Sequence, residues 1–402
     1  MHSLLNTMVG LFIVAILVAI ASKRLNLPYT VGLVVVGICL VFSRFQINLV
    51  LTQNIIFYVV LPPLLFEAAI NIQWRAFRQD AVPILTLAIA GTIIAAAVIT
   101  AIFHYLLDWP LATALVFGAL MAATDPVTAI AIFKENKVTD RLRLLVESES
   151  LLNDGVAAVI FSFALAWINT AGHGIFSAAQ ITSMLMVTIG GGIVVGIACA
   201  GIAILLAGRT SDYLVESTVS TVLAYASYTI AEHFHCSGIL ATVTSGLMMG
   251  NLGLAEARKY DKFITEKGRQ FTLALWDYIA FLANSFVFLL IGITVARISF
   301  RDLSDKALAL SIAAILISRA ATIYPIAVLF SHSRWKFSRN FQHILWWGGL
   351  RGALGIALAL SLPQTLPMRD IVIMTTFATV VFSIVVQGLT MPMLLRYLKT
   401  TS

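Results

Sequence analysis

The chain has 402 residues, 60% of them hydrophobic and only 11% charged, with a formal net charge of +7 and a mean hydropathy of +0.95. A water-soluble domain cannot cover its surface with so few polar groups, so the composition predicts a polytopic, all-α membrane protein whose first partner is lipid. The positive charge sits in short loops, with no basic stripe interleaved with exposed aromatics, so nucleic acid is not expected as a partner.

The first apolar run ends in Ala19-Ile20-Ala21, which imitates a signal-peptide cleavage site. No Lys or Arg precedes it and Lys23-Arg24 follow, so it reads as a retained span with the N-terminus outside. Windows of roughly 20 residues give about thirteen spans. Their limits are 4–22, 28–43, 54–71, 82–106, 110–133, 143–168, 178–207, 214–234, 237–252, 270–296, 306–330, 344–362 and 371–395. Loops after odd-numbered spans carry roughly 19 of the basic residues and the opposite side about 5, which predicts a cytoplasmic C-terminus. Cys39, Cys199 and Cys236 have no paired spacing and read as free thiols. His233-Phe234-His235-Cys236 lies at a helix end and reads as an interfacial turn in preference to a metal site.

Several polar groups interrupt these spans. Glu67, after Leu61-Pro62-Pro63-Leu64-Leu65-Phe66, either faces an ion path or is an acid at a helix end. Thr124-Asp125-Pro126 lies in the middle of the fifth span. Proline lacks an amide donor and pushes Asp125 away from helical dihedrals, so the helix should break there. Freed backbone groups in a bilayer are tolerated only where they line a cavity or meet polar partners. The sixth span holds Glu149-Ser150 and Asn153-Asp154. Ser150, Asn153 and Asp154 share one helix face, whereas Glu149 stands about 140° away from Asp154. Carboxylates at membrane depth cost at least ~2.5–3.5 kcal/mol each, and their default reading is an ion or proton site.

These positions divide the labour. Asp154 is expected to be the exchanging carboxylate and Glu149 a charge partner inside the protein. A hard monovalent cation wants oxygen ligands, which carboxylate, hydroxyl and carbonyl groups of two crossing helices can supply. Low-dielectric surroundings favour the neutral form of a carboxylate, so the same group can take a proton when no cation is present. Arg351, inside Gly348-Gly349-Leu350-Arg351-Gly352-Ala353, marks a second break in the twelfth span and is expected to neutralise Glu149. The two breaks are seven spans apart, as an inverted repeat of six helices would place them. Arg319 and Asp277 are expected to form a structural pair.

At these residues the chain resembles the sodium/proton antiporters of the electroneutral branch of the cation/proton antiporter superfamily, of the NhaP and NHE type. The resemblance is carried, in order, by Leu61-Pro62-Pro63 to Glu67-Ala68, Ala123-Thr124-Asp125-Pro126, Glu149-Ser150-Leu151-Leu152-Asn153-Asp154-Gly155, Gly349-Leu350-Arg351-Gly352-Ala353 and Gln387-Gly388-Leu389-Thr390. It implies a homodimer in a bacterial or archaeal cytoplasmic membrane, serving pH homeostasis. It further implies a dimerisation domain over residues 1–79 and 171–303 and an ion-carrying core over 80–170 and 304–402, with the two broken helices crossing in the core. Asp154 would bind cation and proton, Asp125, Ser150 and the Thr124 backbone would complete the site, and Glu67 would approach from the dimerisation domain. Asn153 would hydrogen-bond Thr124 where the electrogenic branch carries a second aspartate, and Glu149 would bridge to Arg351. Asp277 stands where the family pattern leads one to expect glutamate. With one titrating carboxylate, each cycle should exchange one Na+ or Li+ for one proton and move no net charge. Potassium/proton exchange is the alternative within this class, and a gated cation channel lies outside it. No cofactor is expected.

Overall fold

The architecture, taken from a computed structural model, is described for residues 2–25, 27–42, 51–135, 138–169, 178–254, 264–300 and 303–398. All regular secondary structure among them is helical. In chain order the helices are α1 (His2–Leu25), α2 (Tyr29–Val41), α3 (Ile55–Asn71), α4 (Trp74–Gln79), α5 (Ala81–Leu107), α6 (Leu111–Ala122), α7 (Val127–Glu135) and α8 (Asp140–Asn169). Then follow α9 (Thr182–Ala207), α10 (Tyr213–His233), α11 (Gly238–Met248), α12 (Glu266–Arg297), α13 (Asp305–Leu329), α14 (Arg339–Trp347), α15 (Ala353–Leu360) and α16 (Arg369–Tyr397).

Every one of these except α4 falls on a segment expected from hydropathy. Seven helices of the described residues, in α1, α5, α8, α9, α12, α13 and α16, are long and apolar enough to cross a membrane unaided. The shortfall from about thirteen has local causes. The fifth and twelfth segments are each divided in two, into α6 and α7 and into α14 and α15. α2, α3 and α11 are short, and α10 carries Glu216 with several Ser and Thr. Side-chain caps set several starts: Asp212 accepts from the Leu214 amide at 2.9 Å, Ser237 from Leu240 at 3.2 Å and Ser304 from Ala307 at 3.1 Å. Each satisfies an amide that a helix start leaves unpaired. Ser338 does the same for Phe341 at 3.2 Å, and so α14 begins five residues before the expected limit of 344.

The residues group into two compact units. One comprises Met1–Ile56, Val82–Ala171 and Asn284–Ser402; the other comprises Phe57–Ala81 and Gly172–Ala283. By packing, α1, α2 and the end of α12 group with the first unit rather than with the 57–79 and 171–283 segments. Within the first unit α2 and the end of α12 cross closely, where a Cβ on Gly37 or Gly292 would strike the Leu289 or Val34 carbonyl. In the second unit, a Cβ on Gly196 of α9 would strike the Ala241 carbonyl and Thr244 of α11, so the absence of a side chain lets these two helices approach closely. The Phe66 and Trp276 rings pack at a tilt of 43° with their centroids 4.6 Å apart, and the Trp276 indole donates to Ser220 Oγ at 3.0 Å. The three cysteines are free.

Candidate functional site

The site is built in the first unit where α6 stops. α6 ends at Ala122, Ala123 turns to extended dihedrals, and helix resumes at Val127, as the Asp125-Pro126 pair requires. The amide of Asp125 donates to the carbonyl of Leu350 at 2.7 Å, so the first break is bonded directly to the second. Asp125 Oδ1 accepts from the Val127 amide at 2.9 Å, and the Ala353 amide is a second backbone donor to the same carboxylate. One aspartate thus caps the starts of both α7 and α15, at the positive ends of two helix dipoles. A Cβ at position 352 would collide with that carboxylate, which is why the second break carries glycine there. Gly352→Ala is therefore expected to expel Asp125 from its seat and to abolish transport, while protein yield falls modestly; transport in vesicles normalised to folded protein checks this.

α8 supplies the opposite wall. Asn153 grips Thr124 from both ends of its side-chain amide: Nδ2 donates to Thr124 Oγ1 at 2.7 Å and Oδ1 accepts from the Thr124 amide at 3.3 Å. Ser150 Oγ lies 3.1 Å from Thr124 Oγ1 and donates to the Thr124 carbonyl. Thr124, Ser150 and Asn153 are buried and satisfied by one another. Asp154 is not. Its carboxylate is half-buried, makes no hydrogen bond with any described residue, and lies near enough to Asp125 for the two negative charges to repel. Asp125 is held by two backbone amides, whereas Asp154 has no bonded partner among the described residues. Among the described residues no three His, Cys, Asp or Glu side chains gather as a metal-binding group.

Two expected ion pairs are corrected. Glu149 is bridged by Arg319, not by Arg351: Arg319 Nη1 and Nη2 reach Glu149 Oε1 and Oε2 at 2.6 and 2.7 Å, with both side chains buried. Arg319 Nε donates to the Leu345 carbonyl at 3.1 Å, so Asp277 is not its partner. Asp277 is exposed on α12. Arg351 instead uses Nη1 to cap the carbonyls of Ala122 and Ala123, each at 2.9 Å. Those are carbonyls that the break in α6 strips of helical partners, and a cation at the C-terminal end of a helix is favourable. The α8 face that carries Glu149 was legible from the helical period; the arginine opposite it was not. Glu67 lies in the second unit, half-buried on α3, its Oε1 accepting from Asn71 Nδ2 at 3.0 Å. Sequence reasoning assigned no task to Ser383, whose Oγ accepts the amide of Arg351 at 2.9 Å.

The family model for the transmembrane sodium/hydrogen exchangers matches residues 11–397. The chain belongs to this family. It is 40% identical over 94% of its length to the Na(+)/H(+) antiporter ApNhaP of Aphanothece halophytica, of which it covers 71%. It is 32% identical to the Na(+)/H(+) antiporter NhaH of Halobacillus aidingensis, over 99% of this chain and 98% of that one. The fold is that of the sodium proton antiporter MjNhaP1 of Methanocaldococcus jannaschii: the TM-score is 0.77 at 20% identity, over 98% of this chain and 99% of that chain. A member of the sodium/hydrogen exchanger family is an integral membrane transporter and not an enzyme. In this exchanger-family chain the two helix breaks meet in one unit, and the unmatched carboxylate stands beside them.

Proposed function

We propose that this protein exchanges Na+ or Li+ for protons across a cytoplasmic membrane, one for one, by competition at Asp154 with alternating access. The observation that carries the reading is the single unmatched carboxylate of Asp154 beside an amide-capped Asp125 and a neighbour, Asn153, that cannot titrate. One unmatched charge takes one cation or one proton, so a complete cycle moves no net charge. Oxygen atoms of Asp154, Asp125, Ser150 and the Thr124 backbone are the ligands offered to the cation, in keeping with the oxygen preference of hard ions. Membership of the sodium/hydrogen exchanger family and the likeness to Na(+)/H(+) antiporters support sodium as the cargo. Further parts of the reading are a homodimer with N-terminus outside and C-terminus in the cytoplasm, and a role in pH homeostasis.

The test is transport in proteoliposomes. An imposed proton gradient is expected to drive uptake of Na+ and Li+ in preference to K+, at a rate that does not change when a membrane voltage is imposed. Uptake without proton counter-movement, or currents carried by cation alone, would mean a channel. Preference for K+ would move the cargo to potassium, and voltage-dependent exchange would overturn the one-for-one stoichiometry. Activity is expected to fall at low pH, where protons hold Asp154, and at high pH, where protons are scarce.

A further inference from the structure

Among the buried polar groups outside the ion site, a cluster on α16 has no part in the exchange reading. α16 contains a wide π-helical turn over Ser383–Gln387, a kind of irregularity that often marks a functional position. Ser383 and Gln387, at the two ends of that turn, are both buried. Ser383 Oγ accepts the Arg351 amide at 2.9 Å and donates to Gln387 Oε1 at 2.5 Å. Gln387 Nε2 donates to the carbonyl of Trp347 at 3.2 Å. On the next turn Thr390 Oγ1 accepts the Trp347 indole N–H at 3.0 Å. Trp347 is the last residue of α14, and Arg351 stands two residues before α15. The pair on α16 therefore holds the second break from both of its sides.

What lies between those two attachment points touches the ion site. The Leu350 carbonyl receives the Asp125 amide, Arg351 Nη1 caps Ala122 and Ala123, and Gly352 leaves the space in which the Asp125 carboxylate sits. A shift of this segment must move Asp125 relative to Asp154. We propose that Ser383 and Gln387 are positioning residues for exchange, clamping the 348–352 segment so that Asp125 is held at the distance from Asp154 that a cation needs. The inference rests on the exchange reading above and assigns a task to Gln387 of Gln387-Gly388-Leu389-Thr390. A purely structural role would alter stability and leave the cation dependence of transport alone.

The test uses the full chain in proteoliposomes. Ser383→Ala and Gln387→Met, the second close in volume and free of polar donors, are each expected to raise the half-saturating Na+ and Li+ concentrations roughly tenfold or more, because ligand geometry is sensitive to displacements near 1 Å. The maximal rate per folded molecule should change far less, and the pH profile should move with the cation affinity. Ser383→Thr, which keeps the hydroxyl, should return both to the parental values. In parallel, hydrogen exchange of the segment around Arg351 should quicken in Ser383→Ala and Gln387→Met and not in Ser383→Thr. Half-saturating concentrations within twofold of the parent in both variants overturn the proposal, as does failure of Ser383→Thr to rescue. If one variant does not fold, the other decides; if neither folds, the residues are structural and the proposal falls. A parent that exchanges no cation overturns the exchange reading instead, and hydrogen exchange then decides the clamp by itself.

Discussion

Asp154→Asn is expected to reduce proton-driven Na+ and Li+ uptake to the leak of protein-free vesicles while the protein remains folded at parental yield. The two halves of this expectation have one cause. In the structure the Asp154 carboxylate makes no hydrogen bond among the described residues and faces the like charge of Asp125, so amidation removes no bond and relieves a repulsion. An unpaired charge held beside a like charge and partly removed from solvent is costly, and its neutral isostere much less so; thermal stability should therefore equal or exceed that of the parent. Function has no such refuge, because an amide neither titrates nor supplies the negative charge that holds a bare cation. Exchange that survives Asp154→Asn would place the site elsewhere. A variant that loses transport only because it loses its fold would show that Asp154 is structural.

Arg319→Ala is expected to destabilise the protein by about 3–5 kcal/mol, the usual cost of removing one partner from a buried ion pair. The loss comes from the Glu149 carboxylate, left buried without the two contacts at 2.6 and 2.7 Å that now satisfy it. Glu149→Gln introduced into the same background should recover much of it, since the orphaned charge is then gone. The coupling between the two positions, read as a double-mutant cycle of detergent-solubilised thermal unfolding, is the measured quantity. Asp277→Asn supplies the contrast. Asp277 is exposed and is not the partner of Arg319, so its change should stay within about 0.5 kcal/mol of the parent. Equal effects of Asp277→Asn and Glu149→Gln on the Arg319→Ala background would contradict the pairing seen here.

Much of the site could be read from the chain itself. Pro126 announces a break because a missing amide and a crowded preceding residue are properties of one dipeptide, needing no neighbour. The helical period places Ser150, Asn153 and Asp154 on one face and turns Glu149 away, since a face is a local property of one helix. Hydropathy placed the helices well, because apolar length is also local. It was least informative where polar residues dilute a helix, as in α10, or where a break halves it, as in α6 and α14.

What the sequence determined by itself was the inventory: an all-helical membrane protein, two interrupted helices, one acid beside a non-titrating amide, and four further charges, Glu149, Arg351, Arg319 and Asp277, expected to find partners. The tertiary structure decided the matching. Glu149 could have met either arginine, since both carry the same charge and the period of α8 names a direction without naming the helix that lies there. The fold put Arg319 of α13 in that direction and turned Arg351 onto the carbonyls that α6 leaves open at Ala122 and Ala123. The same holds for Gly352, whose missing side chain makes room for a carboxylate more than two hundred positions earlier, and for Ser383 and Gln387, whose partners lie on another helix. Local chemistry sets what each residue can do, and only three-dimensional packing sets which of several equivalent partners it meets.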